Sequence, residues 1–506
     1  MTNLSVSSRF AVSVLANLLR AGLAFVTTVI IARALGPEGY GSYAFLLVSF
    51  AAVMSLLDMG TSNAFQTFMS QKERGKMFVL SYAGWQLLQM LLVLLIIGII
   101  FPEEWLGQIW LSHERTAILL AFAAVFMQQR AWKTIIQIGE SKRLTHRIQV
   151  LNLSIAATHL LLVAGFWIGG ILSVGLVFGL VLVEYLIFLV VGYKVLPVSR
   201  LEGELFDGKS VLREYVTYCS PLIVYSILAF GYEFADRWML QNFGGSKQQG
   251  LYEVGFRFGM VSLLVTAALL NIFWKEIAEA KEKGNLDLMQ KLYRKVSRSL
   301  FFLGAVLAGF IIPWREEVIR LVFGPSYTEG SSIFALMLIY AAFRSLAQIN
   351  GSMLLATSKT KTHLVFGSIL MGVSIPCSYF LLASEDTYLP GLGLGALGLA
   401  AKMVLFTIIY VNVISWRISR DHGWKFDWTY QVVALGGALS CGWLSFEFVE
   451  VLNSYISVNL FFKGGLMLLL YGGVMGMMTW QMPWVAGTSR QDIKSYYFRF
   501  INLRFL

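Results

Sequence analysis

The sequence predicts an all-α polytopic membrane protein of roughly fourteen spanning helices, and three observations predict it. Of the 506 residues, 57% are hydrophobic and only 14% are charged, whereas soluble domains carry about 25% charge. A water-soluble core could not hide that much apolar surface. The apolar residues also come in continuous runs of spanning length, not in the alternating segments of a membrane barrel. Finally, Lys and Arg gather in alternate loops, the pattern that orients helices across a membrane.

The runs fall at about 10–34, 42–68, 78–101, 116–139, 147–169, 171–195, 214–240, 250–274, 298–321, 331–356, 363–384, 391–416, 429–449 and 460–482. The first is too long for a signal-peptide core and carries Arg20 at its middle, so it reads as a retained helix. One set of loops holds Lys72, Arg74 and Lys76; Lys142, Arg143 and Arg147; Lys281 through Arg298; Lys359 and Lys361; and Arg417, Arg420 and Lys425. The intervening loops are acidic or neutral, with Glu103, Glu104 and Glu114 in one and Glu385 and Asp386 in another. The basic side is therefore expected to be cytoplasmic, in the inner membrane. An even number of spans then puts both termini on that side. This asymmetry accounts for the net charge of +11, so nucleic acid is not an expected partner. Trp105, Trp110, Trp424 and Trp428 sit near run ends, where tryptophans anchor at headgroup level.

Cys219, Cys377 and Cys441 all lie inside apolar runs, and the five histidines are scattered. This gives no disulfide framework, no metal-ligand spacing and no catalytic cluster, so no cofactor is expected and the chain does not read as an enzyme.

The expected organisation is an N-lobe over 1–196, a cytoplasmic linker over 197–213, a C-lobe over 214–416, two further helices over 417–482 and a cytoplasmic tail over 483–506. Residues 275–298 mix Lys, Arg, Leu and Met at helical spacing and predict a membrane-surface helix. The tail, with Tyr496, Phe498, Phe500, Arg499 and Arg504, is expected at the surface as well.

The division into lobes rests on an internal repeat. LGPEGYGSY (35–43) and FGGSKQQGLY (243–252) share Gly41/Gly250 and Tyr43/Tyr252, an offset of about 209 residues. SKRLTH (141–146) and SKTKTH (358–363) share an offset of about 217. The first pair follows the first helix of each half, and the second pair joins the fourth and fifth. Two six-helix halves in one orientation imply a pseudo-two-fold axis along the membrane normal, an arrangement that alternating-access transporters use.

Ionisable groups at bilayer depth cost a few kcal/mol each and so need a reason. Asn17 and Arg20 lie near the middle of the first helix; Glu233, Asp236 and Arg237 lie toward the outer end of the seventh; Glu253 and Arg257 lie in the outer half of the eighth. If the first two helices of each lobe line a cleft, Arg20, Arg237 and Arg257 offer guanidinium forks that match phosphate oxygens. Glu233, Asp236 and Glu253 would orient them. The competing reading makes Asp236–Arg237, or Glu253–Arg257 at i,i+4, internal ion pairs. Asp58, beside Gly60, reads as a structural cap or pair. Arg130 and Lys133 read as snorkelling to the headgroups, Arg344 fits either reading, and His159 reads as a core residue. Glu184 and Lys402 lie at corresponding depths and are assigned only to pairing. The glycines over 391–398 open a hydrophobic helix with no strand before them, so they predict close helix packing and no phosphate loop.

ARALGPEGYGSYA (32–44) and ADRWMLQNFGGSKQQGLYEVGFRFG (235–259) resemble the polysaccharide-export flippases of the Wzx type. These belong to the multidrug/oligosaccharidyl-lipid/polysaccharide exporter superfamily, with the lipid II flippase and the MATE drug exporters. The family's pattern falls here on Arg33, Leu35, Gly36, Pro37, Gly41 and Tyr43, then on Asp236, Arg237, Gly244, Gly250, Tyr252 and Arg257. The resemblance covers the twelve-helix repeat, and two additional C-terminal helices are familiar in that family. It implies a substrate made of an oligosaccharide on a polyprenyl pyrophosphate, moved from the cytoplasmic to the periplasmic leaflet. It also implies membrane lipids, and polysaccharide polymerase and assembly proteins, as partners. A lipid II flippase is the nearest alternative. A MATE-type drug exporter fits less well, because such proteins often use an acidic residue in the first helix and residues 10–34 contain none. Proton or sodium coupling is not readable. A membrane glycosyltransferase or polymerase would need a larger external loop, and an assembly scaffold would not need arginines at bilayer depth.

Overall fold

The computed structural model describes residues 6–111, 113–196, 207–455 and 459–492, and within them every long element is a helix. The first ten residues of the expected linker and the aromatic tail (Tyr496, Phe498, Phe500, Arg499, Arg504) lie outside the described residues. In chain order the helices are α1 (Val6–Asp58), α2 (Thr61–Gln71), α3 (Lys76–Leu95), α4 (Glu103–Ile109), α5 (Arg115–Phe126), α6 (Trp132–Ser141), α7 (Thr145–Ile168) and α8 (Val174–Val195). They continue with α9 (Gly208–Val261), α10 (Leu263–Glu282), α11 (Leu286–Ile311), α12 (Arg315–Val322), α13 (Ser331–Ala356), α14 (Thr360–Leu382), α15 (Gly395–Asp421), α16 (Thr429–Tyr455) and α17 (Leu460–Gln481).

Eleven helical stretches among the described residues are long and apolar enough to span a membrane. Two of them, α1 and α9, each contain two expected spans fused across a kink. The fourth expected span is divided between α5 and α6 by a π-helical turn over Met127–Ala131. Counting those restores the fourteen. The exposed side chains on these helices are large and apolar, among them Leu161, Ile168, Leu444 and Leu469. A face of that kind is stable only against lipid.

Both kinks fall at a glycine of the repeat. Gly36 (φ 66, ψ 177) and Gly245 (φ 71, ψ 179) adopt the same left-handed extended conformation, which a Cβ makes strained. They are 209 residues apart, the offset read from Gly41 and Gly250. The two loops also meet reciprocally: a methyl group on Gly41 would collide with the Ser246 carbonyl, and one on Gly250 with the Pro37 carbonyl. Adding 209 to Pro37 gives Ser246, so each contact is the two-fold image of the other. The Ser42 and Ser246 hydroxyls close the junction at 3.0 Å.

The second repeat is real in structure but two residues out of step with its letters. In the first half Arg143 takes a left-handed conformation, with Leu144 N–H donating to the Gly139 carbonyl. In the second half Ser358 takes it, with Lys359 N–H donating to the Leu354 carbonyl. The turns superpose at an offset of 215, not the 217 of the SK…TH letters, because the helix C-terminus sets the turn and the side chains do not.

The chain forms two compact units, residues 1–253 with 371–399 and residues 254–370 with 400–506. In the first, Phe50 stacks on Trp110 at 5.4 Å and meets Phe122 edge-on. Trp110 is thus a core residue and not a headgroup anchor, whereas Trp105 is exposed. A second cluster in this unit stacks Phe65 on Tyr82 at 4.3 Å. In the other unit the core gathers α11, α13 and α16 around Phe301, Phe343 and Tyr430. Here residues 275–298 form no separate surface helix. They are the facing ends of α10 and α11, reversed at Gly284 (φ 66) and capped where the Asn285 side chain accepts from Leu288 N–H at 2.9 Å. Two amphipathic helix ends read in sequence as one.

Candidate functional site

In the first unit, Asn17 and Arg20 are both exposed on the first leg of α1. Arg20 makes no ion pair among the described residues and lies at electrostatic range of Tyr185 on α8. The Tyr185 hydroxyl in turn accepts from Gln128 Nε2 at 3.4 Å, within the π turn that divides α5 from α6. A π turn re-aims side chains that a regular helix would point elsewhere, and such turns are frequent at functional sites. Arg20 and Gln128 are thus linked through Tyr185, and Asn17 lies one turn before Arg20.

Two residues along the same turn, Arg130 points the other way. It is 2% exposed and pairs with Asp58, with Gln89 Oε1 at 3.2 Å and Thr61 Oγ1 at 3.4 Å completing its shell. The snorkelling expectation for Arg130 therefore fails: its helix is buried on that face, and a complementary carboxylate is available within the bilayer. Asp58 is the structural pair expected, and it also accepts from Ser62 N–H at 3.1 Å and the Ser62 hydroxyl at 2.9 Å. His159 is bound to the buried carboxylate of Glu184 at 2.9 Å.

On α9 the expected residues separate by exposure. Glu233 is exposed, while Asp236 and Arg237 are buried. Arg237 pairs with Glu253 across the Gly245 kink at 2.9 Å and lies over the Tyr252 ring at 4.5 Å. The kink folds the two legs of α9 together, so that Arg237 also reaches Glu253, a pairing that spacing along one straight helix does not suggest. Asp236 accepts from the Ser378 hydroxyl on α14. Gly391 and Gly398 abut the Ala383 and Leu381 carbonyls at the C-terminal end of α14, the close packing expected of that glycine run.

In the second unit, Arg257 is half-buried near the end of α9, which packs on α13 where Gly255 meets Phe334 and Gly259 meets the Met337 carbonyl. Tyr293, Asn350 and Ser415 form a buried polar triad, with Tyr293 donating to Asn350 Oδ1 at 2.7 Å. Lys402 is buried. Arg344 is exposed at the centre of α13, a position for which hydropathy gives depth but no direction. Among the described residues no group of three or more His, Cys, Asp or Glu is placed to hold a metal.

Comparison with known proteins decides the family. The model of the family described as "Polysaccharide biosynthesis protein" matches residues 8–273. The chain belongs to this family. A search of curated proteins finds no match. Among solved structures, the polysaccharide biosynthesis chain is similar to the lipid II flippase MurJ in an inward closed conformation. The TM-score is 0.70 at 13% identity, covering 93% of this chain and 99% of that one. It is also similar to an inward-facing multidrug resistance MATE family transporter of the MOP superfamily, with a TM-score of 0.61 at 12% identity over 79% of this chain and 95% of that one. A MOP superfamily transporter from Pyrococcus furiosus gives 0.55 at 13% identity over 82% and 96%. At such identities the likeness shows the fold. Family and fold together support a membrane flippase or exporter.

Proposed function

We propose that the chain is a flippase that moves a polyprenyl-pyrophosphate-linked oligosaccharide from the cytoplasmic to the periplasmic leaflet of the inner membrane. In this reading the lobes over 1–196 and 214–416 rock by alternating access, with 417–482 outside the repeat and both termini cytoplasmic. The observation that carries the proposal is Arg20: an arginine at bilayer depth, exposed and without an ion-pair partner among the described residues, in a protein of polysaccharide biosynthesis. Against lipid that charge would cost several kcal/mol. Facing water, it is a ready site for a phosphate oxyanion. Asn17 lies one turn away to share the contact, and Arg257, in the second unit, offers that unit a guanidinium of the same kind. Arg237, held by Glu253 and Tyr252, braces the α9 kink, and Glu233 and Asp236 temper the positive field so that substrate can leave.

The test is flipping of a fluorescent polyprenyl-pyrophosphate oligosaccharide in proteoliposomes. Wild type should flip it, Arg20→Ala should lose most of the rate with unchanged folding, and Arg20→Lys should recover only part, because an ammonium lacks the two-pronged geometry. Flipping at the wild-type rate by Arg20→Ala would remove Arg20 from the path. The lipid II reading is separated by offering lipid II in the same vesicles, and the drug-exporter reading by offering an organic cation.

A further inference from the structure

α13 is the most enclosed helix of the second unit, and a single long side chain breaks its cover. Between Ser332 at its start and Leu355 at its end, every residue of α13 is buried or half-buried except Arg344. Arg344 lies thirteen residues from Ser331 and twelve from Ala356, at the midpoint of a helix that spans by length and hydropathy. Its neighbours in sequence, Phe343 and Ser345, are both buried. Arg344 makes no ion pair or hydrogen bond among the described residues, unlike Arg130, Arg237 and Arg298.

An unpaired guanidinium halfway through a span cannot rest in hydrocarbon. Its exposed side therefore calls for water. Gln348 lies one turn on, on the same face, and its amide oxygen is buried without a hydrogen-bond partner among the described residues. A cation with five donors beside an amide with unused acceptor capacity fits a ligand that carries an oxyanion next to a hydroxyl.

We propose that Arg344 and Gln348 form an oxyanion-binding position in the transport path, Arg344 holding a phosphate or carboxylate group of the substrate and Gln348 an adjacent hydroxyl. This rests on the flippase reading for its physiological ligand, but not for its test. The oxyanion has two sources: the pyrophosphate itself, or an acidic sugar of the glycan.

The experiment replaces the three native cysteines with alanine, introduces Gln348→Cys, and measures its modification by a membrane-impermeant sulfonate thiol reagent. Leu161→Cys, on a lipid-facing surface of α7, is the control. Gln348→Cys should be modified and Leu161→Cys should not. Inorganic pyrophosphate or a hexuronate should slow that modification at least severalfold, and adding Arg344→Ala should abolish the protection. Protection by pyrophosphate alone assigns the site to the lipid phosphates, and protection by hexuronate assigns it to an acidic glycan. Either supports the proposal. No modification of well-folded Gln348→Cys, or modification that neither anion slows, would overturn it. Since no transport is measured, a negative result with intact flipping sinks this site alone. Protected labelling without flipping sinks the flippase reading alone.

Discussion

Arg130 and Arg344 occupy matching places in the two halves and have opposite fates. Each lies on the fourth span of its half. Arg130 comes ten residues before Glu140 and Arg344 eleven before Leu355, the carbonyls that open the two equivalent turns. Arg130 is enclosed by Asp58, Gln89 and Thr61, whereas Arg344 is exposed and unpaired among the described residues. The one-residue difference is what separates them: counted from the turns, Arg130 matches Ser345, which is buried as it is, and Arg344 stands one position round the helix. Depth in the membrane thus does not say what an arginine is for. Direction and partner do.

The contrast can be broken by substitution. The largest effect is expected for Arg130→Ala, which leaves the Asp58 carboxylate without its counter-charge and should cost about 3–5 kcal/mol. The measurement is the thermal midpoint of the detergent-solubilised protein. Replacing both partners, Asp58→Leu with Arg130→Met, should recover much of that loss. A double variant no more stable than Arg130→Ala would show that the surrounding polar shell needs the charge. Arg237→Ala should come next, at ~2–4 kcal/mol, since it breaks the Glu253 pair and the Tyr252 stacking together. If its midpoint instead matches wild type, Arg237 belongs with the exposed arginines. Arg20→Ala and Arg344→Ala should move the midpoint least, within about 0.5 kcal/mol, while lowering the flipping rate at least tenfold. A large loss of stability in Arg344→Ala would erase the distinction between the two helices.

Much of the fold was legible in the sequence because hydropathy, run length and loop charge report directly on spanning. The Gly41 and Gly250 repeat was visible for a similar reason: a close backbone approach that excludes a Cβ leaves glycine at a fixed offset, whereas the kinks at Gly36 and Gly245 came only with the structure. The SK…TH match misled by two residues because it compared side chains that the turn does not use. The site was less legible. Depth alone picked out Arg20 and Asn17, which the structure finds exposed, but the surroundings of Arg130, Arg237 and Arg344 needed the direction of each helical face, which hydropathy does not give. Residues 275–298 failed in the same way, since an amphipathic pattern does not mark the glycine at which it reverses.

The junction of the two glycine loops has the symmetry of a subunit interface. When residue i of one segment touches residue j of another and j of the first touches i of the second, the interface is isologous, as in a two-fold homodimer. Gly41 against Ser246 and Gly250 against Pro37 is such an interface, now held within one polypeptide. The two halves thus meet at this loop as two copies of a self-pairing subunit would. In such a pair one glycine satisfies both sides of the contact at once, whereas within one chain the two partners can differ, as Pro37 and Ser246 do.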